Sequence, residues 1–304
     1  MGPAKTASRM PSKQLATADD HELPDETDGG DAGGPSLPAE DKAQAKNAFA
    51  ELMRPKSKPA RDDRDAKRPK TTVSATGRAY LGRDGLLAYI AEPEAFGDGR
   101  VVYHSAEWVL IRDLYPKASV HLLLLPRDPS VYGLNPLEAF ARSPAFLASA
   151  RAEVARAAAI AAEELRRLHG AHSAQERPRR AALTAAAAAE TAELPPGRAW
   201  LDEVRAGVHA NPSMNHLHIH VISRDMHSPC LRHRTHYQSF TTEFFARIEE
   251  MPLSAAEILT RRRGAHEALK ERGSVCWRCG AQFGSSWKKL KEHLEVEFET
   301  WRRE

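Results

Sequence analysis

The sequence predicts an α+β protein: an antiparallel sheet with flanking helices, followed by a small C-terminal ββα metal finger. Three observations carry this. Residues 215–223, Asn-His-Leu-His-Ile-His-Val-Ile-Ser, alternate polar and apolar side chains as a half-buried strand does. The runs Arg100 to His104, Trp108 to Arg112 and His121 to Pro126 read as short apolar strands, the first two joined by a turn around Ser105 to Glu107. Cys276 and Cys279 have two residues between them and are followed by His293 and Glu297 at metal-ligand spacing.

Taken in order, the chain opens on a segment that the sequence marks as disordered. Residues 1 to about 75 are rich in Pro, Gly, Ser, Ala, Asp and Lys, and cannot bury enough apolar surface to offset the entropy of ordering. An acidic stretch, Asp19 to Asp31, gives way to a basic one from Arg54 to Lys70, which reads as a nuclear-import signal, a nucleic-acid-grasping tail or a solvated linker. The formal charge of +3 and pI near 8.7 permit a nucleic-acid partner without demanding one. No run of eighteen apolar residues exists and the first residues lack an apolar signal core, so neither a membrane span nor a secretory leader is expected. Three cysteines make no disulfide framework.

Folding is expected from Thr76, giving a catalytic domain over 76–248 and a linking helix plus finger over 249–304. Leu86 to Ile90 has helical spacing and Glu92-Pro93 ends it. After the third apolar strand, Leu137 to about Leu194 becomes Ala- and Arg-rich. One long amphipathic helix is predicted from Ala145 to Leu168, with Gly170 as its stop. Within an insertion spanning about 138–198, Ala171 to Pro196 has little apolar area to anchor it. His236 to Ile248 reads as a loop running into a helix, and Leu253 to Leu269 as a helix bearing the basic cluster Arg261-Arg262-Arg263.

The chemistry centres on the alternating stretch. A period of two puts His216, His218 and His220 on one strand face and Leu217, Ile219 and Val221 on the other. A neutral imidazole is a good nucleophile near neutral pH, and like-charged neighbours oppose protonation, so the middle ring is the candidate nucleophile. Two other readings stand beside this one: a polar strand face with incidental histidines, and a zinc site sharing two of the rings.

His216-Leu217-His218-Ile219-His220-Val221-Ile222 resembles the signature of the histidine-triad superfamily, whose members transfer or hydrolyse nucleotides through a nucleotidyl-histidine. The flanks, Gly207 to Met214, Ser223 to Leu231 and His236 to Phe240, together with Ile111 to Ala118 and Val120 to Arg127, are similar to the aprataxin family of DNA-repair deadenylases. The resemblance implies a histidine-triad fold. It also implies that Asp113 contacts the adenosine ribose, that Lys117 lies near the phosphates or the DNA, that Ser213, Ser223 and backbone N–H groups donate to phosphate oxygens, and that His121 and Met214 belong to the substrate site. By family position His227, nine residues past His218, is a transition-state contact. A residue from the domain's first helix, Tyr80 or Leu81, would pack on the terminal base pair. No forkhead-associated domain is evident in the tail.

In the finger, His293 and Glu297 share a helix face at i and i+4 opposite the two thiolates, whereas Glu295 and Glu299 do not. Four protein ligands leave no open position, so a zinc held there would be structural. The Cys-Cys-His-Glu set resembles that of fungal aprataxins; a redox Cys-x-x-Cys pair lacks its thioredoxin-like context. Lys288, Lys289 and Lys291 on the same helix can meet DNA phosphates or simply face solvent.

The resemblance as a whole implies a nuclear hydrolase that removes AMP from adenylated DNA 5′ ends, and by extension acts on 3′-guanylylated ends, in single-strand break repair. The rivals are a histidine-triad hydrolase of small dinucleotides or nucleoside phosphoramidates, and a catalytically idle DNA-binding protein.

Overall fold

Six antiparallel strands organise the computed structural model, which describes residues 71–73, 79–97, 99–186, 194–271 and 273–304. The order of elements is β1 (Thr71–Val73), β2 (Ala79–Leu81), α1 (Leu87–Ala91), β3 (Val101–His104), β4 (Trp108–Arg112), β5 (His121–Pro126), α2 (Pro136–Arg142) and α3 (Pro144–His169). There follow α4 (Arg177–Ala186), β6 (Val204–His209), β7 (Ile219–Ser223), α5 (Arg234–Thr241), β8 (Phe245–Arg247), α6 (Ala255–Glu271) and α7 (Trp287–Arg303). Strands β3 to β8 form the main sheet in the spatial order β3-β4-β5-β7-β6-β8, all neighbours antiparallel, so the triad strand β7 lies inside it. Residues 69–304 form one compact unit. The tail before it, with its acidic and basic runs, lies outside the described residues.

The period of two divides the core. One sheet face, with Leu110, Leu122, Leu124, Ala206, Val208, Ile219 and Val221, packs on Leu137 and Phe140 of α2 and on Leu147, Val154 and Leu165 of α3. Both helices start on a side-chain cap followed by proline: the Asn135 carbonyl oxygen accepts from Leu137 N and the Ser143 hydroxyl from Phe146 N. The other face carries two separate apolar clusters. Val109, Ile111, Leu123 and Leu125 pack on Leu86 and Ile90 at α1. Ile222 and Phe245 pack on Tyr237 and Phe240 of α5 and on Cys276, Leu290 and Leu294 of the finger. The histidine cluster sits on this second face at the centre of the sheet.

Several expectations change once strand register is known. Only His220 lies within β7; His216 and His218 precede it, because pairing with β5 stops at Leu124↔Ile219 and the Leu217 N–H turns instead to the carbonyl of Tyr132 at 2.6 Å. The backbone at Tyr80 and Leu81 is strand rather than helix; Gly82 at φ 56° ends it, a 3₁₀ turn over Gly82–Asp84 follows, and the first α-helix begins at Leu87. His236 to Ile248 is a helix and then an edge strand, β8, which closes the sheet against β6. The finger's two-stranded part shrinks to a single bridge, Val275↔Gln282, among the described residues. The first part of the presumed insertion belongs to the core, from Ala139 in α2 to Leu165 in α3. Residues 187–193, which include part of the alanine run, lie outside the described residues.

Candidate active site and metal centre

Register brings four imidazoles together. His121 on β5, His220 on β7 and His209 on β6 occupy the same sheet face, and His218 reaches it from just before β7. His220 lies between Leu123 and Gly207 in the ladder. Glycine is required at 207, where a Cβ would come within 2.4 Å of the Ala246 carbonyl and 2.9 Å of the Phe245 ring.

Each ring is oriented by a specific bond. His218 Nδ1 lies 2.7 Å from the carbonyl oxygen of His216. A carbonyl can only accept, so Nδ1 carries the proton and Nε2 presents a lone pair. The Lys117 N–H donates to His121 Nδ1 at 3.2 Å, which leaves His121 Nε2 to donate to His220 Nδ1 at 2.9 Å. His220 Nε2 then bears a proton, and this buried atom has no hydrogen-bond partner among the described residues. His209 Nε2 is likewise buried and has no hydrogen-bond partner among the described residues, and its ring centroid is 4.4 Å from that of His220.

Burial keeps the cluster neutral. It is the largest cause of a lowered pKa for His218, His220, His209 and His216, and it brings His121 to about 4 against the pull of the Asp113 carboxylate. Neighbouring imidazoles push His121, His209, His218 and His220 further the same way.

The other expected site residues divide. Asp113 does two things: Oδ1 accepts from Tyr115 N at 2.7 Å, fixing the turn after β4, while Oδ2 faces His121 Nδ1 at 3.3 Å. Lys117 follows on the same loop, its ammonium bonded to the Tyr115 carbonyl. Ser213 is exposed and Met214 packs against the α1 cluster. Ser223 is fully buried on the opposite sheet face from His220. Its hydroxyl is committed to Val120 and Asp225, so it cannot serve as the expected phosphate donor. His227 Nε2 bonds Glu295 Oε2 at 2.8 Å and the ring stacks on Phe298 at 3.8 Å, both on α7. These contacts hold the ring on the finger helix just past the end of β7. His209 is the residue that sequence reasoning missed. Its signal was present, since it is the last residue of a run leading into the triad, but only the β6–β7 pairing places it beside His220.

At the C-terminus Cys276, Cys279, His293 and Glu297 bring their ligand atoms within 4.8 Å of one another. His293 Nε2 is 3.1 Å from Cys279 Sγ and 3.2 Å from Glu297 Oε1, separations suited to atoms sharing one tetrahedral ion. The donor set, two sulfurs, one imidazole and one carboxylate, fits zinc. Arg278 bonds Glu297 Oε2, leaving Oε1 for the metal, and holds the carboxyl below the usual carboxylate range. Lys288 and Lys289 stand exposed in the first turn of the same helix and Lys291 is half-buried. Trp287 Nε1 donates to the Arg232 carbonyl at 2.7 Å, tying that turn to the loop before α5. A second group of potential ligands, Asp113, His121 and His220, is already occupied internally by the His121–His220 bond.

Comparison with known proteins agrees with both halves. Residues 96–227 match the HIT domain family, and residues 241–300 match the C2HE / C2H2 / C2HC zinc-binding finger family. An aprataxin-like protein of Schizosaccharomyces pombe is 31% identical over 255 residues, covering 84% of this chain and 94% of that protein. One of Saccharomyces cerevisiae is 30% identical over 227 residues, covering 71% and 95%. The crystal structure of the aprataxin ortholog Hnt3 in complex with DNA aligns at a TM-score of 0.57 and 31% identity, over 72% of this chain and 96% of that one. With both domains and nearly the whole length of these relatives matched, the chain belongs to the aprataxin family of HIT-domain proteins.

Proposed function

We propose that the protein is a DNA 5′-adenylate hydrolase working through a covalent AMP–histidine intermediate. The observation that carries this is the His218 Nδ1 bond to the His216 carbonyl, which presents Nε2 of a buried neutral ring as the nucleophile. The Nε2 lone pair attacks the phosphorus of the adenylate. The bond from phosphorus to the oxygen of the DNA 5′-phosphate breaks, and that phosphate leaves as an anion. The positive charge that develops on the His218 ring is stabilised by the His216 carbonyl. His220, whose buried Nε2 carries a proton with no hydrogen-bond partner among the described residues, is suited to donate to the charged phosphoryl oxygens, with the His209 ring packed beside it. Water then attacks phosphorus and gives up a proton to solvent, the P–N bond breaks with its electrons returning to His218 Nε2, and AMP departs with His218 neutral again. Asp113 would receive the ribose hydroxyls.

DNA is the proposed partner: a relative of similar fold, Hnt3, has been solved with DNA, and in another structure with DNA and guanosine. Guanylylated 3′ ends are a proposed second substrate. Lys288 and Lys289 would meet phosphates without reading bases. Zinc held by Cys276, Cys279, His293 and Glu297 would fix the finger's fold. A nuclear location in single-strand break repair is proposed from the basic run Arg54 to Lys70 and is tested by imaging a tagged chain with that run intact or neutralised.

The deciding experiment compares a nicked duplex bearing a 5′-adenylate with a free adenosine dinucleotide, and traps the first reaction by acid quench. AMP on His218 and preference for the nick are expected. Equal turnover of the dinucleotide would defeat the DNA-specific reading, and AMP on another residue would defeat the mechanism.

A further inference from the structure

The last turns of α7 enter the catalytic domain through a socket built from residues between α3 and β6. Ala174 and Gln175 donate their N–H groups to the carbonyls of Arg303 and Glu304, both at 2.9 Å, satisfying acceptors that a helix end leaves open. Arg198 is only 5% exposed, and its guanidinium lies against the indoles of Trp200 and Trp301 at 4.6 and 4.7 Å. It also donates to the Trp301 carbonyl at 2.6 Å and to Glu203 Oε1 at 2.7 Å. Trp301 Nε1 reaches the other oxygen of Glu203 at 2.9 Å. Behind Arg198, the buried carboxylate of Glu176 accepts from Arg198 N at 3.1 Å and Trp200 Nε1 at 2.7 Å. Gly197 permits that approach, because a Cβ there would stand 2.4 Å from Glu176 Oε1.

These contacts join three parts of the molecule. Glu203 immediately precedes β6, the strand that ends in His209, and its carbonyl accepts from Arg224 just past β7. Glu304, beside Arg198, also bonds Arg278, which in turn holds the metal-site carboxylate Glu297. One buried guanidinium therefore sits between the root of the catalytic sheet and the end of the finger helix. From Trp287 to Arg303 that helix is about 24 Å long, so a small tilt at its docked end displaces Lys288 and Lys289 at the other.

We infer that Arg198 is a positioning residue for DNA: by clamping Trp301 it sets the finger's orientation on the catalytic sheet and so determines preference for a DNA adenylate over a small one. The inference rests on the proposed deadenylase reading. Arg198→Met keeps the unbranched stem but removes the charge and both bonds. The variant should retain its zinc and hydrolyse adenosine 5′-phosphoramidate within about twofold of the parent. Its kcat/KM on an adenylated nick should fall about two- to thirty-fold, through KM, the range a coupling residue commands. Amide hydrogen exchange along residues 287–303 should rise while that of β7 stays unchanged.

Equal losses on both substrates, or no loss on the nick, would overturn the inference. Should the parent itself not act on the adenylated nick, the functional reading fails, and hydrogen exchange alone judges the clamp: unchanged protection of α7 in the variant overturns it. If Arg198→Met does not fold, Glu203→Gln, which removes the facing charge and keeps the shape, is carried through the same measurements.

Discussion

Acidification should challenge the histidine cluster in a way that can be calculated for one of its members. His121 has a side chain 1% exposed and a pKa brought from 6.5 to about 4, chiefly by burial, with the Lys117 ammonium and His218 adding to the effect and the Asp113 carboxylate opposing it. Above pH 6.5 the ring is neutral in both folded and unfolded chains and contributes nothing to the pH dependence. Between 6.5 and about 4 the unfolded chain binds a proton that the folded one refuses, so stability falls as pH falls. The slope for this residue is about 1.4 kcal/mol per pH unit, and the full loss, reached below the folded pKa, is about 3 kcal/mol. His209, His218 and His220 are shifted in the same direction and steepen the slope. The assay is proton–carbon NMR of the imidazole Cε1–H groups on zinc-loaded protein, with urea midpoints alongside; the ring signals separate this effect from acid release of the metal. The His121 signal should stay fixed through the range in which exposed histidines titrate, and hydrolysis of the adenylate should persist below pH 6.5. A His121 signal titrating at or above 6.5 would refute the reasoning.

Other outcomes follow from single contacts. His218→Ala should lower turnover of an adenylated nick by at least about three orders of magnitude while DNA affinity in gel shift stays within about twofold, because the nucleophile is removed and the phosphate contacts are not. Asp225→Ala should cost at least about 3 kcal/mol in urea unfolding, since its buried carboxylate accepts from Ser119 N, Ser119 Oγ, Ser223 Oγ and His227 N. Metal analysis should find one zinc per chain. Cys276→Ser should abolish it and loosen α7 in hydrogen exchange, yet leave hydrolysis of adenosine 5′-phosphoramidate in place. DNA binding should weaken steeply as salt rises, by roughly tenfold or more from about 50 to about 200 mM, with little dependence on sequence.

Local pattern was enough for much of this protein. Alternation at 215–223, the three apolar runs from Arg100 to Pro126 and the spacing of Cys276, Cys279, His293 and Glu297 are each properties of adjacent residues, and they specify the strands, the triad and the metal quartet. The alanine-rich region was harder to read, because α3 is anchored by Leu147, Val154 and Leu165 while Arg198 and Trp200, which hold the Glu176 carboxylate between them, meet Trp301 over a hundred residues away in α7.

What the chain determines by itself is which residue types recur at which period, since side-chain direction along a strand or helix is fixed by backbone geometry alone. Register is a different matter: whether β7 pairs with β6 so that His209 meets His220, whether Ser223 faces substrate or Asp225, and whether His227 turns to the triad or to Glu295. Those outcomes belong to the tertiary structure, because a one-residue slip in pairing reverses every facing side chain, and only the packing of both sheet faces together selects among the slips.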